Sequence, residues 1–287
     1  MYHRILVATG GSPWSDGALT TAVALAACTG AELCVVTVFV THGMYTTPDG
    51  MGGAELVVAD IVEREGQSLL ARAVAQALEA GVACETVSGW GNVADTILRT
   101  AVETHADLIV LGSRGVSGWK RLMLGNIANI VAAKAPQPVL VVKQPAVSDA
   151  PLGRRLLVAT GGSPWSDAAV SYALRLAQAQ ALELCVLHVD RGRPHRGEDP
   201  VAAEGKNLLA LAEARAAVAG VAYKGTLAYG NVPSAILETA ATKQCDGIIL
   251  GARGLSGWKR LMLGDIANTV AIKAALPVLI VKRFLDA

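Results

Sequence analysis

Two stretches of the chain occur twice without change. ATGGSPWSD stands at residues 8–16 and again at 159–167, and SGWKRLMLG stands at 117–125 and again at 256–264. Long identical segments in the same order constrain the chain to one glycine-rich unit built two times. Ile5 aligns with Leu156 and Cys34 with Cys185, and further on Trp90 aligns with Tyr229 and Lys143 with Lys282. Between those blocks the second copy is shorter. The loss falls between 41–60 in the first copy and 190–200 in the second, both polar or rich in Gly and Pro, as surface loops are.

The 287 residues divide at a proline-bearing linker, 144–153, into units 1–144 and 152–287. Each is an ordinary domain size, with enough chain to bury a substantial core. Hydrophobic residues make up 52% and charged residues 17%, and the formal net charge is +1. This excludes a disordered chain and a strongly electrostatic nucleic-acid binder. The start of the chain carries no leader-like apolar run, and no run approaches the roughly 20 apolar residues of a spanning helix. The expectation is a cytoplasmic protein with no membrane or nucleic-acid partner. Cys28, Cys34, Cys84, Cys185 and Cys245 lack CxxC spacing and read as small buried hydrophobes. His3, His42, His105, His188 and His195 form no metal-binding pattern.

Apolar periodicity gives the same alternation in both units. In the first, strands are predicted at 4–8, 33–40, 82–87, 108–111 and 139–142. Helices are predicted at 13–27, 54–79, 92–102 and 124–133. Ser12 before Pro13 is an N-cap followed by proline at the first helical position. In the second, strands are predicted at 155–159, 184–189, 222–227, 247–250 and 278–281, with helices at 166–179, 201–219, 232–241 and 263–273. Strands alternating with helices imply parallel pairing buried on both faces, hence two tandem doubly wound α/β domains. A ligand then belongs at the carboxyl ends of the strands, near the switch in strand order.

Both repeated motifs follow strands that such a site would use. After the fourth strand come Gly112, Ser113, Arg114 and Gly115, and nine residues later Gly125 and Asn126. Glycines allow close backbone approach and positive φ, and the following helix start offers amides and partial positive charge to a phosphate. Arg114, Lys120 and Arg121 add charge. The plain alternative is that these glycines are turn residues.

ILVATGGSPWSDGAL at the start and GSRGVSGWKRLMLGNIANIVAAKAPQPVLVV at the end of the first half resemble the universal stress protein family in its tandem form. The resemblance covers nearly all of both halves. It implies an adenine nucleotide alpha hydrolase-like fold, with a five-stranded parallel sheet of order 3-2-1-4-5 in each domain. It also implies pairing of the two domains with each other, a possible further homodimer, and ATP at this site in some members, with Mg2+ where it binds. The positions carried over are Gly10, Gly11, Gly112, Ser113, Arg114, Gly115, Gly125 and Asn126 in the first half. In the second they are Gly161, Gly162, Gly251, Ala252, Arg253, Gly254, Gly264 and Asp265.

Two departures set the halves apart from nucleotide-binding members. Those place an aspartate after the first strand, where this chain has Gly10 and Gly161, and a serine or threonine after the last motif glycine, where it has Asn126 and Asp265. Asn126 still donates through its amide. Ionised Asp265 repels a triphosphate by roughly 1 to 4 kcal/mol, unless Mg2+ bridges the two. The first half is therefore expected to be the better metal-free site.

Trp14, Trp119, Trp165 and Trp258 read as loop-packing residues, with a partner contact or base stacking as alternatives. Asp16 and Asp167 read as helix-start carboxylates. No catalytic constellation emerges; slow ATP hydrolysis is the most the residues support. A flap is expected at 41–53. Two functions remain: an adenine-nucleotide-binding stress-response regulator, or a dimerising adaptor with degenerate sites and an unidentified protein partner.

Overall fold

The computed structural model describes residues 2–40, 53–114, 125–143, 151–192, 200–253 and 263–282. The first unit runs β1 (Arg4–Ala8), α1 (Pro13–Thr29), β2 (Glu32–Phe39), α2 (Gly53–Glu79), β3 (Cys84–Trp90), α3 (Val93–Glu103), β4 (Leu108–Gly112), α4 (Asn126–Lys134) and β5 (Val139–Val142). The second runs β6 (Arg155–Thr160), α5 (Pro164–Gln180), β7 (Glu183–Asp190), α6 (Pro200–Ala219), β8 (Tyr223–Tyr229), α7 (Val232–Thr242), β9 (Gly247–Gly251), α8 (Asp265–Lys273) and β10 (Val278–Val281).

Local chemistry sets most of these boundaries. Ser12 caps α1 by accepting from the amide of Ser15 at 3.1 Å, and Ser163 caps α5 through Ser166 at the same distance. The helix in the second unit therefore starts at Pro164, two residues before the predicted 166, because Ser163 and Pro164 repeat the Ser12 and Pro13 device. Strands β3 and β8 run on to Trp90 and Tyr229, past the predicted ends, because they stay in register with β2 and β7 as far as Phe39 and Asp190.

Within each unit all strand pairs are parallel, in the order β3-β2-β1-β4-β5 and, mirrored, β10-β9-β6-β7-β8. The two sheets then join. β5 and β10 pair antiparallel, Leu140 opposite Leu279, to give one ten-stranded mixed sheet. Both strands, VLVV and VLIV, are buried along their whole length, which suits the centre of a sheet and not an edge. One apolar cluster lies under α1, α2, α5 and α6 and a second under α3, α4, α7 and α8, and each includes residues of both units.

Polar ties cross the same seam. Tyr172 Oη donates to Tyr2 Oη at 2.7 Å, both side chains buried. Lys282, one residue beyond β10, donates to the carbonyls of Ala132 and Ala133 at 2.5 and 2.9 Å, at the C-terminal end of α4. Lys143, one residue beyond β5, donates to the carbonyl of Ile272 at 3.2 Å, at the C-terminal end of α8. The last carbonyls of a helix lack partners within the helix, and its C-terminus favours positive charge. Each unit thus caps the last helix of the other.

Candidate functional site

In each unit the ends of the first and fourth strands and the starts of the first and last helices converge. The backbone of Gly112 meets the first turn of α1: a Cβ there would lie 2.6 Å from the carbonyl carbon and oxygen of Trp14. Gly251 meets Trp165 in the same way, at 2.6 and 2.5 Å. These two glycines are required by helix-on-strand packing, and neither has the positive φ expected of a loop glycine. That conformation belongs to Gly11 and Gly162, both at φ 72°, in the turns between β1 and α1 and between β6 and α5. Gly10 and Gly161 are different again: a Cβ on either would meet nothing within 4 Å. The space beside them is open.

The helix starts at this end are not equivalent. The start of α1 is closed by Ser12 and Ser15, which satisfy each other's amides. Asn92 and Asn231 cap α3 and α7, at 3.1 Å each. Gly125 and Gly264 stand at the N-cap positions of α4 and α8, and no side chain caps either helix. Among the described residues, then, the first-turn amides of α4 and α8 have no N-cap side chain to accept from them, an arrangement that suits an anion. Gly125 and Gly264 are fixed by donating to the carbonyls of Ser113 and Ala252 at 2.8 and 2.9 Å. Ser113 and Ala252 donate in turn to Val142 and Val281, both at 2.8 Å.

Asn126 and Asp265 are the first residues of α4 and α8, and both are exposed. Each helix therefore begins with a solvent-facing polar group, neutral in the first unit and carboxylate in the second. The guanidinium of Arg114 lies over the Trp14 ring at 5.5 Å, and that of Arg253 over Trp165 at 5.1 Å. Both tryptophans are half-buried, so their position joins packing to the support of an arginine at the site. Burial and, secondarily, the charge of Arg114 push Lys143 down to about 8; burial and then Arg253 do the same to Lys282. In each unit the arginine therefore lies close enough to the lysine to disfavour its charge.

Asp16 and Asp167 lie in first helical turns, and Arg215 pairs with Asp167 at 2.6 Å. Cys34, Cys185 and Cys245 are buried, but Cys28 is exposed on α1 and Cys84 is half-buried on β3, contrary to the reading of all five as buried hydrophobes. The position of Cys28 on the outer side of a helix, near Gln180, accounts for its exposure. Gly115, Gly254, Trp119, Trp258, Lys120 and Arg121 lie outside the described residues, as does the flap expected at 41–53 apart from Gly53, which begins α2. Among the described residues no group of three or more His, Cys, Asp or Glu side chains is placed to hold a metal, and no helix is long and apolar enough to cross a membrane. The sequence reading did not find the role of Lys143 and Lys282, although a lysine directly after each buried VLVV or VLIV strand was its visible signal.

The fold is shared with solved proteins. A universal stress protein from Archaeoglobus fulgidus superposes with a TM-score of 0.76 at 22% identity, over 98% of each chain. A putative universal stress protein from Pseudomonas aeruginosa gives 0.62 at 17% identity, over 98% of this chain and 93% of that one. In sequence, the universal stress protein YxiE of Bacillus subtilis is 37% identical over 150 residues, which is all of that protein and 50% of this chain. A universal stress protein of Mycolicibacterium smegmatis is 30% identical over 200 residues, 66% of each chain. The family model described as "Universal stress protein family" matches twice in succession, at residues 1–143 and 153–282, and so the chain belongs to the universal stress protein family, in its tandem two-domain form.

Proposed function

We propose that the protein is a stress-response regulator that binds an adenine nucleotide at the starts of α4 and α8, with the phosphates against the first-turn amides. The observation that carries this reading is the contrast among helix starts: α1, α3, α5 and α7 are closed by their own serine or asparagine, while α4 and α8 begin at a bare glycine. Arg114 and Arg253 add positive charge at the same end, and the open space beside Gly10 and Gly161 leaves room for the rest of a ligand. The first unit takes ATP without metal, through Asn126. In the second unit Asp265 would hold Mg2+ through a hard carboxylate oxygen, and the ion would offset the repulsion between that carboxylate and the phosphates. No general base is nominated, so the nucleotide acts by occupancy and any hydrolysis is slow.

The test is mass spectrometry of small molecules released when the purified protein is denatured, together with thermal unfolding at millimolar ATP. Released adenine nucleotide, or a raised midpoint, supports the reading. Neither effect, with or without Mg2+, would leave the adaptor with degenerate sites as the better account. Replacing Asp265 by Ser is expected to strengthen metal-free binding in the second unit.

A further inference from the structure

The two units also differ nearer the amino ends of their strands, around a cysteine that both carry. Cys34 on β2 and Cys185 on β7 occupy equivalent register positions, and both are fully buried in the same apolar cluster. Their neighbours are not equivalent. Opposite Cys34 on the next strand stands Glu85, and opposite Cys185 stands Lys224. Where β3 has Val87, β8 has Thr226, whose hydroxyl oxygen is 3.9 Å from the Cys185 sulfur. Where the first unit has Thr104 and Ala106 ahead of β4, the second has Lys243 and Cys245 ahead of β9. Every exchange replaces an anionic, apolar or neutral neighbour by a hydrogen-bond donor or a cation.

Arg155, the first residue of β6, joins the segments that carry the two thiols. Its Nη2 donates at 2.7 Å to Glu183, two residues before Cys185, and its Nη1 donates at 2.6 Å to the carbonyl of Lys243, two residues before Cys245. Both sulfurs feel its charge. Its Nε is buried and donates to nothing among the described residues. A buried N–H without an acceptor costs free energy, and a thiolate nearby is an acceptor. The thiols of Cys185 and Cys245 are each other's hydrogen-bond partners. Donation from Cys245 holds Cys185 below the ordinary thiol range despite burial, and Thr226, Lys243 and Arg155 act in the same direction. In the first unit, burial and then Glu85 push Cys34 up to about 11. The second unit therefore sets an ionisable sulfur beside a second thiol, the arrangement of an attacking and a resolving cysteine.

We propose that Cys185 and Cys245 form a redox-active dithiol that hydrogen peroxide converts to a disulfide, with Cys185 attacking and Cys245 resolving. The Cys185 thiolate attacks one peroxide oxygen and the O–O bond breaks. The departing hydroxide leaves as water with the proton that the thiol gave up, and Cys185 becomes a sulfenic acid. The Cys245 sulfur then attacks that sulfur: the S–S bond forms, the S–O bond breaks, and the hydroxyl leaves as water with the Cys245 proton. Each sulfur loses one electron and the peroxide gains both. Cys185 is 0% exposed and Cys245 5%, so the oxidant has to be a hydroperoxide as small as hydrogen peroxide itself. The bond ties β7 to the segment entering β9, across β6. The dithiol lies away from the starts of α4 and α8, and its oxidation needs no nucleotide.

The test exposes the full chain, reduced and then freed of reductant, to hydrogen peroxide under native conditions. The protein is next denatured with an alkylating agent present and its peptides are mapped by mass spectrometry. The expected result is a linked pair of peptides joining Cys185 to Cys245, separated by dithiothreitol, with Cys34 alkylated in the same molecules. In Cys245→Ser, where no resolving sulfur remains, dimedone should label Cys185 as a sulfenic acid. Both thiols still alkylated after peroxide has consumed the exposed Cys28 would overturn the proposal, since the pair would then be out of reach of the oxidant. Linkage that appears only when peroxide is added in urea would overturn it as well. Dimedone on Cys245 in Cys185→Ser, with none on Cys185 in Cys245→Ser, would overturn the assignment of the attacking sulfur.

Discussion

At the scale of single residues, six glycines at or just after the ends of the first and fourth strands of each unit have three different reasons to be glycine. Gly112 and Gly251 admit the first helix of each unit onto the fourth strand, Gly11 and Gly162 turn the chain at positive φ, and Gly10 and Gly161 face open space. Sequence could not separate these, since all six read as turn or loop glycines and only the distance from a built Cβ to its neighbours distinguishes them. Gly112→Ala is expected to destabilise by about 1–3 kcal/mol, because the neighbouring atoms are backbone and cannot rotate away. Denaturant unfolding measures it, and a loss under 0.5 kcal/mol, about the scatter of a surface substitution, would contradict that packing. Gly10→Asp should be tolerated in stability and, by restoring a carboxylate where nucleotide-binding members of the family carry one, should tighten ATP binding in the first unit. A melting curve and a titration on the same preparation check both halves of that statement.

Among the elements, strands and helices were legible because their signals are local: apolar runs, Ser12 and Ser163 before proline, Asn92 and Asn231 at helix starts. The joining of β5 to β10 was not written in the residues in the same way. VLVV and VLIV announce burial on both faces, but only the three-dimensional arrangement says that each covers the other. The lysines that follow them were hidden for a related reason, since a lysine after a strand ordinarily marks exposure, and here it reaches helix carbonyls across the seam. Burial holds both ammonium groups at about 8, against an ordinary 10.5. The unfolded chain therefore binds more protons than the folded chain between about pH 8 and 10.5. The contribution of these groups to stability rises with pH through that window, and the cost of burying their charge is fully present below it. Tyrosines and cysteines of the unfolded chain titrate in the same range, so the quantity to measure is the difference between wild type and the Lys143→Met, Lys282→Met double variant. Relative to wild type, its urea midpoint should drop progressively from pH 8 to pH 10. A constant gap would mean that burial lowers the pKa of neither lysine.

At the scale of the molecule, both apolar clusters run across the seam, and Tyr2 and Tyr172 join the units within one of them. The two copies should therefore unfold as one cooperative body, with coincident transitions by tryptophan fluorescence and far-ultraviolet circular dichroism; two separated transitions would contradict a shared core. The repeated segments announced two copies of one fold, and the resemblance they carry led to the family that the chain proves to belong to. They did not announce two equal sites. Asn126 against Asp265, at the starts of α4 and α8, was visible in the sequence. The central claim is that the uncapped starts of α4 and α8 are phosphate sites. Calorimetric titration of nucleotide-stripped protein with ATP tests it most directly, first with chelator and then with Mg2+. One site with chelator and two with Mg2+ is the expected result, and no heat of binding at millimolar ATP under either condition would contradict it.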